Sequence, residues 1–206
     1  MWEIKNRIRK RVAEEDGVLR KVAPLNVAIC HPASYEVAMS SLGFQTIYQE
    51  IHRHPEAAAE RAFLPDNPEE YRRNRLSVFT YENERSLSDF PVIAFSIAYE
   101  LEITGIFEML DLCGIPLLRE ERSARHPFIL AGGPLTISNP TILFPFVDGV
   151  IPGEGEERIH KFLDVAADTE RNKWPDRMAL LSGCHVPEAT VEAPAPCRAP
   201  DSCLPA

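Results

Sequence analysis

The sequence predicts an α/β domain with a doubly wound, mostly parallel sheet, a flavodoxin-like or Rossmann-like three-layer sandwich. Short apolar runs, typical of strands covered on both faces, alternate along the chain with segments of helical periodicity. Strands separated by helices favour right-handed β-α-β crossovers, with helices on both faces of the sheet. The composition, 45% hydrophobic and 26% charged over 206 residues, is that of one globular domain with an appendage.

The predicted elements begin with a short amphipathic helix in residues 1–21, ending near Gly17. The first strand is the apolar run 25–30, which Pro32 ends because proline breaks the strand pattern. Ser34 is placed to cap the helix that follows. The apolar positions of that helix are Val37, Leu42 and Phe44.

The remaining strands are predicted from short apolar runs bounded by Pro or Gly, at 61–65, 76–80, 91–96, 127–131 and 147–151. A polar helix is expected at 68–75, and two amphipathic helices follow later strands. The first of these presents Ile103, Ile106, Phe107, Leu110 and Cys113, and the second presents Ile159, Phe162, Leu163 and Ala166. The core domain is therefore expected to span residues 22–167. Residues 168–206 form a C-terminal extension with a Pro-rich tail, in which we expect little burial.

Charge excludes some classes of partner. The chain carries 22 Lys and Arg against 31 Asp and Glu, a formal net charge of −9. A nucleic-acid surface needs a basic face, so none is expected. No run reaches the roughly 18 apolar residues of a membrane span, and the basic start lacks the apolar region of a secretory signal. These features predict a cytoplasmic protein without membrane contact.

The cysteines and histidines do not form a recognisable catalytic or metal-binding pattern. The five cysteines are Cys30, Cys113, Cys184, Cys197 and Cys203. Their odd number and wide spacing predict neither a disulfide framework nor a zinc site. The histidines lack metal spacing, and no Ser-His-Asp or Cys-His arrangement emerges from the sequence. We therefore expect no catalytic residue and no metal ligand in this chain.

Ligands of open parallel sheets bind beyond the carboxyl ends of the strands, where strand order reverses. Four turns rich in Gly, Ser or Pro fall at such ends and predict one binding crevice. The candidate residues are His31, Ser34, Tyr35, Ser96, Tyr99, Glu100, Gly132, Gly133, Pro134, Gly153, Glu154, Gly155 and Glu156. Each also has a structural interpretation, as a helix cap, a tight-turn glycine or an acid at a helix start.

The known phosphate-binding motifs are absent. The segment 153–156 does not complete the dinucleotide fingerprint, follows the last strand rather than the first, and places acids where a pyrophosphate would be repelled. There is no P-loop. The residues alone thus indicate a crevice that binds a ligand, without catalytic groups of its own.

Six motifs in one order carry a family resemblance over about residues 4–187. They are YEVAMSSLGFQTIY at 35–48, ERAFLP at 60–65, AFSIAYE at 94–100, GIPL at 114–117, AGGP at 131–134 with Asn139-Pro140, and GEGEE at 153–157. Together they resemble the N-terminal cobalamin (vitamin B12)-binding-type domain of radical S-adenosylmethionine (radical SAM) proteins. The resemblance implies that the crevice loops hold the corrin and its nucleotide tail. It also implies a radical SAM barrel domain or protein as the partner.

Two departures limit what the resemblance implies. Cobalamin domains that ligate cobalt through a protein histidine use Asp-x-His-x-x-Gly, whereas here Ile29 precedes His31 by two and Ser34 follows it by three. Cobalamin would therefore be bound without that ligation. The Cys-x3-Cys-x2-Cys loop of radical SAM barrels is also absent. The [4Fe-4S] cluster and S-adenosylmethionine would accordingly belong to a domain missing from this chain.

The predicted function is a cobalamin-binding-type module of a radical SAM enzyme, not catalytic by itself. The alternative is a stand-alone interaction domain that docks a separate partner and has lost cobalamin binding. An independent small enzyme has the least support, because no acid/base or nucleophile set emerges. A truncated chain, ending where the barrel would begin, and a natural stand-alone protein both stay open.

Overall fold

Five parallel strands form the sheet in this computed structural model, which describes residues 1–187. In chain order they are β1 (Leu25–His31), β2 (Ala57–Phe63), β3 (Val92–Ser96), β4 (Phe128–Gly132) and β5 (Gly149–Val150). Their order across the sheet is β2-β1-β3-β4-β5, that of the flavodoxin-like doubly wound fold. The predicted fold class is confirmed. Strand order reverses between β1 and β3, so a ligand crevice is expected at their carboxyl ends.

Helices cover both faces of the sheet. They are α1 (Trp2–Ala13), α2 (Tyr35–Met39), α3 (Leu42–Arg53), α4 (Pro68–Arg73), α5 (Ile103–Leu112), α6 (Leu135–Ser138), α7 (Glu156–Asp168) and α8 (Trp174–Ala179). Apolar residues of α1, α3, α7 and α8 share one core cluster with one face of β1, while α5 and α6 pack on the opposite face. Successive β1 residues alternate between the two clusters, with Val27 in the first and Ala28 in the second, as the two-residue period of a strand requires.

The second strand was predicted at 61–65, but it lies at Ala57–Phe63. The prediction failed because this strand contains Glu60 and Arg61, charged residues that are nevertheless buried. Arg61 is held by ion pairs to Glu82 and Glu15, each with a nitrogen–oxygen distance of 2.6 Å. These partners are distant in sequence. A search for short apolar runs therefore does not recognise this strand, because it contains two charged residues.

The predicted strand at 76–80 is not part of the sheet. Phe79 instead makes an isolated antiparallel bridge with Ser86, and Thr80 N–H donates to the Arg85 carbonyl at 2.9 Å. The chain reverses between them, with Glu84 in a left-handed conformation at φ 54°. This reversal ends the segment before it can pair along a neighbouring strand.

The single helix predicted after β1 is two helices. Ser34 stands at the start of α2 but its hydroxyl does not cap that helix, whereas the Ser41 hydroxyl accepts the Phe44 N–H and begins α3. Of the three apolar positions predicted there, Phe44 is buried, but Val37 and Leu42 are 48% and 62% exposed. The break between α2 and α3 changes the direction of the chain, so the three positions do not share one face.

After α8 the backbone returns to the sheet edge, where His185 and Val150 exchange two hydrogen bonds of 2.8 Å. Trp174 and Met178 of α8 are buried in the core. Most of the predicted Pro-rich tail, with Cys197 and Cys203, lies outside the described residues. Within residues 1–187, no helix is both long and apolar enough to cross a membrane.

Candidate functional site

A cavity of about 270 Å³ opens at the carboxyl ends of β3, β4 and β5, between the amino-terminal ends of α3 and α7. Its floor is made of small and apolar strand residues, including Ala94, Ala131 and Ile29. Eight of the thirteen predicted ligand residues line it: Ser96, Gly132, Gly133, Pro134, Gly153, Glu154, Gly155 and Glu156. The end of β3 and the turns after β4 and β5 therefore converge on one crevice.

The other five predicted residues do not line the cavity. Ser34 and Tyr35 lie at the start of α2, and the Tyr35 hydroxyl donates to the Glu15 carboxylate at 2.9 Å. Tyr99 and Glu100 are exposed on the loop after β3. His31 is buried beside α3 rather than presented to a ligand.

His31 ends β1 with 3% of its surface exposed, and its ring packs edge-on against Phe44 at a centroid distance of 5.6 Å. Burial lowers the pKa of this histidine, and the nearby Glu102 carboxylate partly opposes that effect. The Nδ1 atom has no hydrogen-bond partner within the described part of the chain. This environment encloses the imidazole of His31 and favours its neutral form.

The site also includes residues that sequence reasoning missed. The cavity is also lined by Ser41, which precedes α3, by Gly43 and Ile47 of α3, and by Ile137 of α6. Gly43 borders open space, because a Cβ placed on it would meet no atom within 4 Å. A glycine inside a helix lowers helix stability, so its position within a helical pattern was a usable signal.

The loops after β4 and β5 are tied to each other at the cavity. Gly133 and Gly153 form an antiparallel bridge, and both have positive φ angles, 98° and 86°. The Thr136 hydroxyl donates to the Gly133 carbonyl at 2.6 Å and lies 3.3 Å from the Ile151 carbonyl. These hydrogen bonds hold the two glycine turns together without help from a ligand.

A buried acid that was not among the predicted site residues, Glu102, lies after β3 close to the crevice. The Glu102 carboxylate, 5% exposed, accepts the Ala98 N–H at 2.6 Å and so shapes the loop after β3. The neighbouring Glu100, which the sequence favoured, is exposed. Glu102 thus has a structural part in holding this wall of the crevice.

The electrostatic character of the crevice is acidic. Glu156 begins α7, where a carboxylate suits the helix dipole, and its Oε2 atom is buried with no donor among the described residues. We define the crevice rim as residues 32–43, 97–104, 133–142 and 152–157, the segments that follow β1, β3, β4 and β5. These segments contain six acidic residues and no Lys or Arg.

No three His, Cys, Asp or Glu residues between positions 1 and 187 come together as a metal-ligand set. Cys30 and Cys184 are buried, and Cys113 is half-buried. Burial raises the pKa of both the Cys30 and Cys113 thiols, which keeps them protonated. In this part of the chain the cysteines therefore resemble small core residues.

The fold is that of a flavodoxin-like α/β module with a crevice at the carboxyl ends of its strands. Residues 43–190, more than half of the chain, match the family described as the N-terminal domain of radical SAM proteins. The chain belongs to that family. Neither the curated proteins nor the solved structures gave a match.

Proposed function

We propose that this chain is a cobalamin-binding-type module of a radical SAM enzyme and is not catalytic by itself. Membership of the radical SAM N-terminal family supports the enzyme context. One observation carries the ligand part: an apolar cavity at the carboxyl ends of the strands is lined by the end of β3 and by the glycine turns after β4 and β5. Concave apolar cavities with a few polar groups at the carboxyl ends of parallel strands are the usual ligand sites of this fold.

The residues fit one portion of cobalamin. A cavity of about 270 Å³ is near the lower end of the small-molecule range, which suits a planar heterocycle and not a whole corrinoid. We infer that the nucleotide tail enters the cavity. Apolar Ile47, Ile137 and Ile151 would contact its heterocycle, and the Gly132–Gly133 turn would allow close backbone approach. The corrin's peripheral amides are donors suited to the acidic rim.

His31 does not fit the part of a cobalt ligand. Its ring is enclosed against Phe44 and lies outside the cavity lining, and the Asp-x-His-x-x-Gly motif is absent. Cobalamin would accordingly be held by the crevice without histidine ligation. When bound, it would supply cobalt-centred organometallic chemistry to the enzyme, while this chain orients it and excludes water.

Hydroxocobalamin tests this proposal directly. The full chain is incubated with it, free ligand is removed by desalting, and the corrin absorbance retained per protein is measured. We expect nearly stoichiometric retention by the native chain and by His31→Gln, with circular dichroism verifying that the variant is folded. Absence of retained absorbance would overturn cobalamin binding, and loss confined to folded His31→Gln would overturn the ligation-free mode.

A second candidate function is an interaction domain that docks a separate partner and does not bind cobalamin. Exposed apolar residues on the crevice rim favour this role. With the exception of Ile137, these exposed residues do not line the cavity. Docking and ligand binding are therefore separable by experiment.

A further inference from the structure

A short segment after α8, residues 182–187, lies along the outer edge of β5, and we call it the edge segment. Its backbone pairs with the sheet through His185, which donates its N–H to the Val150 carbonyl and accepts the Val150 N–H, both at 2.8 Å. On its other side the two-residue strand β5 pairs with β4. Within residues 1–187 a single bridge therefore joins the edge segment to the sheet.

The side chain of His185 is enclosed without a polar partner. It is fully buried, its ring centroid lies 5.9 Å from that of Phe144, and neither Nδ1 nor Nε2 has a hydrogen-bond partner among residues 1–187. Buried polar atoms are normally hydrogen-bonded, so an imidazole with two unpartnered nitrogens is unusual. The neutral ring tolerates such a place far better than an imidazolium ion, because burying an unpaired charge costs much more than burying a neutral polar group.

The neighbouring elements offer His185 no free counter-ion. Their charged groups are Asp148 before β5, Arg158 of α7, and Asp176 and Arg177 of α8. Asp148 pairs with Arg122 at 3.2 Å, Arg158 donates to the Ser182 carbonyl at 3.1 Å, and the two α8 residues are exposed. Residues 134–147, which include Phe144, contain no charged side chain, and within the edge segment Cys184 is the only other titratable group. Burial accordingly lowers the pKa of His185 without a contribution from a neighbouring charge.

The edge segment can leave the sheet while the core stays folded. A turn with Gly183 at a left-handed φ of 79° connects it to α8, and α8 keeps its own buried contacts through Trp174 and Met178. Opening of a short segment held by few backbone bonds needs less free energy than global unfolding.

We propose that protonation of His185 releases the edge segment from β5. Release removes the partners of the Val150 N–H and carbonyl, and so converts a covered sheet edge into one that can pair with another strand. The device is thus an acid-sensitive cover on the β5 edge. It is independent of the ligand proposed for the crevice.

Proton linkage gives the direction and size of the effect. In the released segment His185 titrates near the ordinary value of about 6.5, whereas burial places the pKa of the docked residue lower. The released form therefore binds more protons, and acid favours it. Lowering the pH from about 7.5 to 5.5 should raise the released population by about five- to tenfold.

Hydrogen–deuterium exchange of the full chain, read by mass spectrometry at both pH values and corrected for the intrinsic exchange rate, tests this proposal. We expect protection of the edge segment to fall by about five- to tenfold at the lower pH, while β4 stays protected. His185→Leu should remove this dependence, and His185→Lys should release the segment at both pH values. The matched control is His126→Leu, a histidine in the loop before β4, which should behave like the native chain.

The ratio between the two pH values decides the outcome even where His185→Leu loosens the segment at both. Protection that does not change with pH in the native chain would overturn the proposal. An equal pH dependence in folded His185→Leu would also overturn it. A parallel loss of protection in β4 would do the same, because it would show global unfolding instead of local release.

Discussion

The backbone of Gly133 passes so close to Ile97 that a Cβ on the glycine would lie 2.6 Å from the Ile97 carbonyl oxygen. Ile97 N–H also donates to the Gly132 carbonyl at 2.9 Å, and the Ile97 carbonyl accepts the Leu135 N–H at 3.1 Å. The turns after β3 and β4 are therefore in direct backbone contact. Since Ser96, next to Ile97, and Gly133 both line the crevice, its geometry depends on this contact.

The adjacent glycines predict a strong difference between two alanine substitutions. Gly133→Ala combines a left-handed φ of 98° with a backbone overlap, whereas a Cβ on Gly132 would lie at an ordinary 3.6 Å from the Ile151 carbonyl. We expect Gly133→Ala to lower the free energy of unfolding by about 2 kcal/mol or more, and Gly132→Ala by less than about 1 kcal/mol. Urea denaturation measures both. Equal losses would mean that the close contact is not a constraint.

Glu156 predicts a specific effect on ligand binding. Glu156 lines the cavity at the start of α7, and Glu156→Gln replaces its carboxylate with a neutral amide, so a ligand donor bound to this side chain would lose a charged acceptor. We expect hydroxocobalamin affinity to fall by about tenfold, the consequence of one lost charge-assisted hydrogen bond. The matched control is Glu157→Gln, because that carboxylate is 52% exposed and pairs with Lys161. An unchanged affinity in Glu156→Gln would remove this residue from the site.

Buried histidines predict that acid destabilises the fold. Burial lowers the pKa values of His31, His52 and His185 below the value of about 6.5 found in unfolded chains. Below that pH the unfolded chain binds more protons than the folded one, so stability falls as the pH falls. Urea denaturation between about pH 7.5 and 5.5 should show a decreasing free energy of unfolding.

His185 allows this pH prediction to be localised. It is fully buried, and neither ring nitrogen has a hydrogen-bond partner among residues 1–187. His185→Leu removes the titrating group and places an apolar side chain beside Phe144. We expect a shallower loss of stability on acidification in this variant. A pH profile parallel to that of the native chain would show that His185 does not contribute.

The sequence predicted those parts of the fold that local patterns determine. The apolar run of β1 and that of β4 lie within one residue of their predicted bounds, because both strands are covered on both faces and contain no charge before His31. The β2 strand was misplaced since Glu60 and Arg61 are buried through partners about twenty residues away. No local pattern reveals such long-range pairing.

The same distinction applies to the crevice. Gly132 and Gly155 were found because glycine turns at strand ends are visible in sequence. Gly43 was not predicted to line the crevice. Its place there depends on how α3 packs against α7, and this tertiary contact is not visible in the local sequence. His31 was selected because it follows the predicted first strand, 25–30, but it is the last residue of β1 and its side chain packs against Phe44 of a later helix. The position of a residue along a strand predicts where it lies in the sheet, whereas the exposure of its side chain depends on the helices that cover the sheet.

The proposal that the crevice holds the nucleotide tail of cobalamin is tested most directly at Gly43. Gly43→Leu adds an apolar side chain to the lining of the cavity at the second residue of α3, where a Cβ would meet no atom within 4 Å. Gln49→Leu, an exposed position on the same helix, is the control. In equilibrium titration with hydroxocobalamin, we predict binding by the native chain and Gln49→Leu, and at least about tenfold weaker binding by Gly43→Leu. Equal affinity of all three would contradict the proposed site.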